Sequence, residues 1–414
     1  MQYEIYGGKR LFGELNVYGA KNAILPLLAS AVLADVPTRI DNCRPLGDVK
    51  TMCEILRSLG IELVWTGQTI TVYPSVVPYW EIPSLLANKI RASVLFMGAL
   101  LGKYKKATIP LPGGCAIGSR PIDIHIDGLK KLGAKFDFYN DKLVVDGKNM
   151  RGNVVSLPFP SVGATENLLL CAVLTKGETR LFNCAIEPEV VQLEHALVQM
   201  GAKIEGVGTP NLLIEGVDEL KGATICAIGD RVVASTYLLA VAGAGGRVCV
   251  KGFDANHCSA LLGILQSAGC KLTYSDGVTI ECDKIDGLGV VETAPYPAFA
   301  TDVQSQLLSV ATVCNGNTTI VENIFENRLV HNVLQLRRLG AQIDLNGNVA
   351  TIKGAKLKGA TVQSNDLRGG AGLVLAGLFA DGITRVTNVS HVERGYFDIV
   401  GSLQQVGAEI KLTN

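Results

Sequence analysis

Hydrophobic and polar positions along the chain recur in one pattern that is repeated six times. In each copy an amphipathic stretch, such as residues 123–132 or 330–339, predicts a helix that ends at an apolar residue followed by glycine. Two short alternating runs follow, as in residues 135–139 and 143–145, and predict a β-hairpin. The marker glycines are 67 to 73 residues apart and are Gly60, Gly133, Gly201, Gly269, Gly340 and Gly407.

Each copy also contains a second stretch that is rich in small and apolar residues and has no clear polar face. A helix that is apolar all round is typical of a buried position, so we expect these helices inside the protein with sheets and amphipathic helices around them. The six predicted buried helices span residues 22–33, 91–101, 162–174, 231–242, 303–313 and 367–379.

The length of 414 residues favours two domains, because one core rarely grows that large. Three copies per domain place the boundary just before residue 230. Residues 12–17 resemble the strands that precede later buried helices, so we expect residues 1–20 to join residues 230–414. The other domain would span residues 21–229, with the active site in the cleft between the two. An extended six-unit solenoid is the alternative architecture.

Composition narrows the function. Basic and acidic residues are equal in number, which does not favour nucleic acid or an anionic membrane as a partner. The apolar runs are shorter than the ~18 residues of a membrane span, and the start of the chain lacks a signal-peptide pattern. The eleven cysteines contain no C-x-x-C pair, which favours reduced thiols in a cytoplasmic protein. Phosphate-loop, dinucleotide and zinc patterns are absent, so we expect no cofactor, no metal and no obligate protein partner.

Cations stand at the predicted starts of four buried helices, where the helix end is already positive. One or two would be ordinary solvated side chains, but four at equivalent positions predict an anion bound among them and held also by helix N–H groups. The alternative is pairing with neighbouring aspartates, as between Arg231 and Asp230. The four cations are Lys21, Arg91, Arg231 and Arg368.

Three further residues are candidates for chemistry. Cys115 lies in a glycine- and proline-rich polar loop, whereas the other ten cysteines stand in contexts typical of small core residues. Asp302 could be a general base or a helix N-cap, and the residues alone favour the N-cap. Arg394 occupies in the sixth copy the point that the Cys115 loop occupies in the second. The five dispersed histidines are predicted to be surface or capping residues.

Several stretches together, in matching order along the full length, resemble the UDP-N-acetylglucosamine 1-carboxyvinyltransferases of the enolpyruvyl transferase family. They are residues 19–23, 90–93, 111–123, 161–165, 301–302, 325–328, 366–368 and 394–396. The resemblance implies a two-domain inside-out α/β barrel of six α/β units, three per domain. It also implies transfer of enolpyruvate from phosphoenolpyruvate to the 3-hydroxyl of UDP-N-acetylglucosamine, with release of phosphate, early in peptidoglycan synthesis and therefore linked to cell division.

The resemblance assigns roles to individual residues. Cys115 corresponds to the proton donor, Asp302 to the group that accepts or positions the sugar hydroxyl, and Lys21 is both catalytic and a phosphoenolpyruvate contact. The expected phosphoenolpyruvate contacts are Lys21, Asn22, Arg120, Arg368 and Arg394. The expected UDP-N-acetylglucosamine contacts are Arg91, Arg120, Pro121, Ile122, Asp123, Ile124, Ser161, Val162, Gly163, Asp302 and Ile324.

Two alternatives remain at this point: the related transferase that acts on shikimate 3-phosphate, and a diverged paralogue that binds UDP-sugars without turnover. The chain departs from the family pattern outside the core constellation. The departures are Ala99, Gln192, Val233, Ser235 and Ala300.

Overall fold

The computed structural model describes residues 1–74, 79–111 and 122–413 of the protein. The chain divides into two compact units. The discontinuous unit contains Met1–Tyr18 and Gly229–Asn414, and the inserted unit contains the described residues between Gly19 and Ile228.

The described helices alternate with short strands. They are α1 (Lys21–Ser30), α2 (Gly47–Ser58), α3 (Ser84–Ala87), α4 (Leu95–Tyr104), α5 (Asp123–Lys131), α6 (Val162–Ala172), α7 (Pro188–Gln199), α8 (Arg231–Ala244), α9 (Ser259–Ser267), α10 (Thr301–Ala311), α11 (Arg328–Arg338), α12 (Leu367–Phe379), α13 (Ser390–Glu393) and α14 (Ile399–Gln405). Short 3₁₀ turns span Ala31–Leu33, Arg91–Val94 and Ala255–Cys258.

The described strands are three to six residues long. They are β1 (Gln2–Tyr6), β2 (Leu11–Asn16), β3 (Thr38–Asp41), β4 (Leu63–Thr66), β5 (Thr69–Val72), β6 (Lys106–Pro110), β7 (Lys135–Tyr139), β8 (Lys142–Asp146), β9 (Val154–Ser156), β10 (Glu178–Phe182), β11 (Lys203–Glu205), β12 (Asn211–Glu215), β13 (Thr224–Cys226), β14 (Gly246–Lys251), β15 (Lys271–Ser275), β16 (Gly277–Cys282), β17 (Gly289–Glu292), β18 (Asn317–Val321), β19 (Gln342–Asn346), β20 (Val349–Lys353), β21 (Thr361–Gln363), β22 (Ile383–Thr387) and β23 (Glu409–Thr413).

Six small mixed sheets follow one plan in the described part of the chain. A parallel pair is extended by two antiparallel strands, as in the order β17-β18-β20-β19. The order β13-β3-β5-β4 repeats this plan in the inserted unit. In the three-stranded sheet β6-β8-β7, a single parallel bridge between Glu81 and Thr108 occupies the position of the fourth strand. Each unit contains three of the six sheets.

The six helices predicted to be buried are present and buried, with ends that differ from prediction by a few residues. α8, for example, buries every residue from Val232 to Ala242. In the inserted unit α1, α4 and α6 contact one another, and in the discontinuous unit α8, α10 and α12 do so. Apolar side chains on all faces therefore find partners inside each unit, as expected for helices without a polar face.

Two helix glycines allow a close approach of helix backbones. A Cβ atom on Gly98 of α4 would lie 2.2 Å from the carbonyl oxygen of Asn167 on α6. A Cβ atom on Gly372 of α12 would lie 2.6 Å from the carbonyl oxygen of Ser305 on α10. Each unit thus contains one helix pair whose spacing depends on a missing side chain.

The six marker glycines have the left-handed backbone that the sequence predicted, with φ between +79° and +106°. Glycine adopts this conformation without a steric penalty, so it ends the helix and turns the chain into the hairpin. At all six positions a strand begins within three residues, as β7 does after Gly133.

The prediction for the cysteines was wrong at two positions. Among the ten that the structure describes, Cys226 is exposed and Cys249 is partly exposed, while the other eight are buried. Both lie on short strands, where alternate side chains face outward, so an apolar neighbourhood in sequence does not ensure burial. No helix in residues 1–74, 79–111 and 122–413 has the length and apolar character needed to cross a membrane.

Candidate active site

The predicted site residues of the inserted unit lie where helices begin. Lys21 and Asn22 are the first two residues of α1, and Arg91 begins the 3₁₀ turn that leads into α4. Ile122 precedes α5, which begins with Asp123 and Ile124, and Ser161 caps α6 just before Val162 and Gly163. Cys115, Arg120 and Pro121 lie outside the described residues.

Lys21 forms a buried ion pair. Its Nζ atom lies 2.9 Å from Oδ2 of Asp48, and the two side chains are 10% and 7% exposed. Asp48 stands in the first turn of α2, where its negative charge also complements the positive end of that helix. The cation at the start of α1 is therefore balanced by a carboxylate from another element rather than by a neighbour in sequence.

The expectation that the histidines are surface or capping residues was wrong for His125, which is buried within α5 and does not cap it. The amide oxygen of Asn167 accepts the backbone N–H of Gly98 at 2.7 Å, so its amide nitrogen faces the other way. That nitrogen donates to Val94 O at 3.1 Å and lies 2.7 Å from His125 Nδ1. Nδ1 is then the acceptor and the ring carries its proton on Nε2. The amide of Asn167 thus joins the middle of α6 to α4, to the 3₁₀ turn before α4 and to α5.

The discontinuous unit brings a carboxylate and two arginines together. Asp302 Oδ1 lies 3.5 Å from Nη2 of Arg328, and its Oδ2 lies 3.6 Å from Nη2 of Arg368. The two arginine side chains are 4% and 6% exposed, whereas that of Asp302 is 31% exposed. The N-cap interpretation of Asp302 was wrong, because Ala300 caps α10 without a side-chain bond and Asp302 lies inside the first turn.

Arg368 is held at the start of α12 with one donor left over. Its guanidinium lies 5.9 Å from the ring centroid of Tyr396, whose hydroxyl contacts Thr236 at 2.8 Å and accepts from Gln306 at 3.0 Å. Burial acts to lower the pKa of Arg368, but the charges of Asp302, Tyr396 and Asp230 raise it above its usual value. Its buried Nη1 atom has no acceptor in the part of the chain that the structure describes. A cation with an unfilled donor is suited to an anionic ligand.

Arg231 and Arg394 have other surroundings. The Arg231 guanidinium lies 5.3 Å from the ring centroid of Tyr296, and both line a cavity together with Ser235 and Ala300, two of the departures from the family pattern. Asp230 caps α8 through the N–H groups of the second and third helix residues. Arg394 is partly buried at the end of α13.

Three residues that make the contacts described above were not predicted as site residues: Arg328, Asp48 and Asn167. Arg328 stands in a stretch that carried the family resemblance, which was the available signal. Asp48 and Asn167 carry no spacing pattern that distinguishes them from ordinary helix residues. No group of three or more His, Cys, Asp or Glu side chains among residues 1–74, 79–111 and 122–413 is placed to bind a metal ion.

Known sequences match this chain along almost its whole length. Residues 5–403 match the family described as EPSP synthase (3-phosphoshikimate 1-carboxyvinyltransferase). The UDP-N-acetylglucosamine 1-carboxyvinyltransferase 2 of Caldanaerobacter subterraneus subsp. tengcongensis is 43% identical over 412 residues, which cover 99% of each chain. The UDP-N-acetylglucosamine 1-carboxyvinyltransferase 1 of Staphylococcus aureus (strain bovine RF122 / ET3-1) is 40% identical over 416 residues, with 99% of each chain covered.

Two solved structures share the fold. The enolpyruvyl transferase NikO from Streptomyces tendae superposes with a TM-score of 0.88 at 24% identity, covering 99% of this chain and 98% of its own. The EPSP synthase of Acinetobacter baumannii superposes with a TM-score of 0.75 at 17% identity, covering 99% of this chain and 100% of its own. At these identities the likeness establishes the α/β fold of the enolpyruvyl transferases.

Proposed function

The chain belongs to the UDP-N-acetylglucosamine 1-carboxyvinyltransferases within the EPSP synthase family, and from this premise we propose how its residues act. The protein transfers enolpyruvate from phosphoenolpyruvate to the 3-hydroxyl of UDP-N-acetylglucosamine and releases phosphate. The geometric observation that supports this chemistry best is the part-exposed carboxylate of Asp302 between two buried guanidinium groups, each of which has one donor without an acceptor among the described residues. We further propose that this step begins peptidoglycan synthesis.

Phosphoenolpyruvate carries a carboxylate and a phosphate, and the proposed contacts are cationic or polar. Arg368 binds the carboxylate, because its buried Nη1 atom otherwise lacks an acceptor among the described residues. Arg120 and Arg394 bind the phosphate, and Lys21 and Asn22 complete the contacts from the start of α1. The ion pair with Asp48 supports this role for Lys21, because it holds the ammonium group in one place before the ligand arrives.

The nucleotide sugar is a second polyanion, and helix starts supply its contacts. In α6 the Ser161 hydroxyl accepts the N–H of Ala164 at 3.4 Å, which leaves the N–H groups of the first helix residues available to phosphate oxygens. Arg91, Arg120–Ile124 and Ile324 complete the proposed contacts, and Asp302 faces the 3-hydroxyl of the sugar.

The reaction requires a proton on carbon and a deprotonated hydroxyl. We assign the first to the Cys115 thiol, which protonates C3 of phosphoenolpyruvate as the sugar oxygen bonds to C2. Asp302 accepts the hydroxyl proton or positions that hydroxyl. Loss of a C3 proton and departure of phosphate then restore the double bond in the product. No net oxidation occurs, so the residues named suffice for the proton transfers.

We also propose that each unit is an inside-out α/β barrel made of three copies of one repeat. In support, three sheets of the same strand plan and three mutually contacting buried helices occur within each unit. The left-handed glycines 67 to 73 residues apart mark the same point in all six copies.

A phosphate-release assay on the purified protein tests the function. We expect release from phosphoenolpyruvate with UDP-N-acetylglucosamine and none with shikimate 3-phosphate. Turnover with shikimate 3-phosphate alone would assign the protein to the other transferase. Calorimetric binding of UDP-N-acetylglucosamine without phosphate release would indicate a regulatory paralogue.

The role of Cys115 is tested in the same assay. Cys115→Ala should slow turnover by about 10²-fold or more, while Cys115→Asp should retain activity because a carboxylic acid can also donate a proton. Equal rates for Cys115→Ala and the wild type would refute the proton-donor role.

A further inference from the structure

Glu322 is a buried carboxylate next to the Asp302 cluster, and neither the resemblance nor the proposed mechanism gives it a role. It directly follows β18 and is 2% exposed. Both of its carboxylate oxygens accept the Thr301 hydroxyl at 2.9 Å. Its Oε1 atom also accepts the backbone N–H groups of Ile324 at 2.9 Å and Phe325 at 3.0 Å. A buried carboxylate would be costly without such partners, so its position is tightly specified.

The bond to Thr301 determines the direction of a second bond. A hydroxyl has one proton, and that of Thr301 points to Glu322, so its lone pairs face the Nη1 donor of Arg328 at 2.6 Å. The Nη2 atom of the same guanidinium pairs with Asp302. A relay of hydrogen bonds therefore runs from Glu322 through Thr301 and Arg328 to Asp302. It ends on the carboxylate that is proposed to face the sugar hydroxyl.

The hydrogen bonds that Glu322 accepts from the backbone of Ile324 and Phe325 also affect the surroundings of the Arg328 guanidinium. They shape the turn after β18, and this turn places the ring of Phe325 4.6 Å from the Arg328 guanidinium carbon. The turn also contains Ile324, a proposed contact of UDP-N-acetylglucosamine. One carboxylate thus orients an edge of the Arg328 guanidinium through Thr301 and one face of it through Phe325, together with the neighbouring loop residue Ile324.

From these contacts we infer that Glu322 is a positioning residue for the acceptor sugar, acting through Thr301, Arg328 and the 323–325 turn. This inference rests on the proposed function. It places Glu322 behind Asp302 and Ile324, which are proposed to contact the acceptor, whereas Lys21 and Asn22 are proposed to contact phosphoenolpyruvate. Its loss should therefore affect one substrate more than the other.

The test compares Glu322→Gln with Thr301→Val and Thr301→Ser in the phosphate-release assay. Glu322→Gln keeps the shape but replaces one acceptor by a donor, and Thr301→Val removes the hydroxyl. Each should raise KM for UDP-N-acetylglucosamine about tenfold or more, because an oriented charge-assisted hydrogen bond is lost. KM for phosphoenolpyruvate should change less than about twofold. Thr301→Ser, which keeps the hydroxyl, should resemble the wild type.

Two further measurements separate positioning from general damage. The double variant should be no worse than the more impaired single variant, because both changes break one relay. Glu292→Gln, an exposed carboxylate on the adjacent strand β17, is the matched control and should be neutral. If Glu322→Gln does not fold, Thr301→Val alone decides the question.

Several results would overturn the inference. An unchanged acceptor KM in Thr301→Val would do so, as would an equal rise in both KM values or additive effects in the double variant. Wild-type turnover is measured first, so failure of the proposed function would be recognised before any variant is compared.

Discussion

The two units manage charge at their helix starts in different ways. In the inserted unit Lys21 and Asp48 bury each other, and neither side chain is more than 10% exposed. In the discontinuous unit the arginines are buried while the carboxylate that they share, Asp302, remains 31% exposed. The first arrangement holds a cation still, and the second keeps an anion accessible.

The difference shows how one repeated scaffold can serve opposite chemical needs. A buried pair gains little net stability, because desolvation offsets the attraction, but it restricts the ammonium group to one position. A shared carboxylate at 3.5 and 3.6 Å from two guanidinium groups is held loosely enough to accept a hydroxyl as well. In the proposed mechanism the cation binds a substrate, and the carboxylate takes part in the proton transfer.

The largest expected effect is that of Asp302→Asn. Removing the carboxylate should lower kcat about 10²- to 10⁴-fold, because an amide cannot accept the hydroxyl proton. Steady-state kinetics with both substrates measure it. Asp344→Asn, at an exposed position on β19 in the same unit, should leave kcat unchanged. A loss below tenfold in Asp302→Asn would show that the exposed anion is not the reacting one.

A smaller effect is expected from Asp48→Asn in the inserted unit. The amide can accept a hydrogen bond from Lys21 but offers no charge, so the ammonium group should lose its fixed position. We expect KM for phosphoenolpyruvate to rise about tenfold and kcat to fall less. The control is Asp137→Asn, at an exposed position on β7. A rise in KM for UDP-N-acetylglucosamine alone would contradict the proposed role of Lys21 in binding phosphoenolpyruvate.

The helix contacts should respond alike in both units. Gly98→Ala and Gly372→Ala each place a methyl group against a backbone carbonyl, and each should lower the free energy of unfolding by about 1–3 kcal/mol. Gly263→Ala in α9 is the control, since nothing lies within 4 Å of the added carbon. It should stabilise by up to ~1 kcal/mol. Urea unfolding measures the free energy of unfolding of all three variants. If only one of Gly98→Ala and Gly372→Ala is destabilised, the two units do not both depend on a close helix approach.

The smallest effect is expected at Glu194, a buried carboxylate of the inserted unit for which the described residues show no cationic partner. Burial raises the pKa of Glu194 to about 7, although the N–H of Gly208 opposes this. Its stabilising contribution is full below the usual pKa of 4.5 and is lost as pH rises through 7. Glu194→Gln should therefore remove this pH dependence and stabilise the protein at pH 8 by about 1 kcal/mol. The unfolding midpoints of Glu194→Gln and the wild type are compared at pH 5 and pH 8. An equal difference between the two proteins at both pH values would contradict the raised pKa of Glu194.

Features set by local geometry could be predicted from the sequence. A glycine after the last helix turn, as at Gly133, reports a left-handed residue whatever lies around it. The absence of a polar face identified the buried helices, because their burial depends on their own composition. Their starts were less certain, and α10 begins at Thr301 rather than at residue 303.

Contacts between distant residues could not be predicted in this way. Asp302 and Arg328 are separated by 26 positions, and no periodicity links them. The buried ring of His125 has a hydrogen-bond partner in Asn167, 42 positions away. For Asp302 the family resemblance was the source of the functional assignment, and only the folded chain revealed its partners.

The pairing of the first strands has a consequence for the order of synthesis. β1 pairs with β22 and β23, so that Glu4 lies opposite both Arg385 and Lys411, and β2 pairs with β14. These strands are synthesised before the inserted unit, whereas all three of their partner strands are synthesised after it. The inserted unit contains its own sheets and can fold during translation, while β1 and β2 are still unpaired because their partner strands have not yet been synthesised. The discontinuous unit, which contains Asp302, is therefore completed only when β23 has been synthesised.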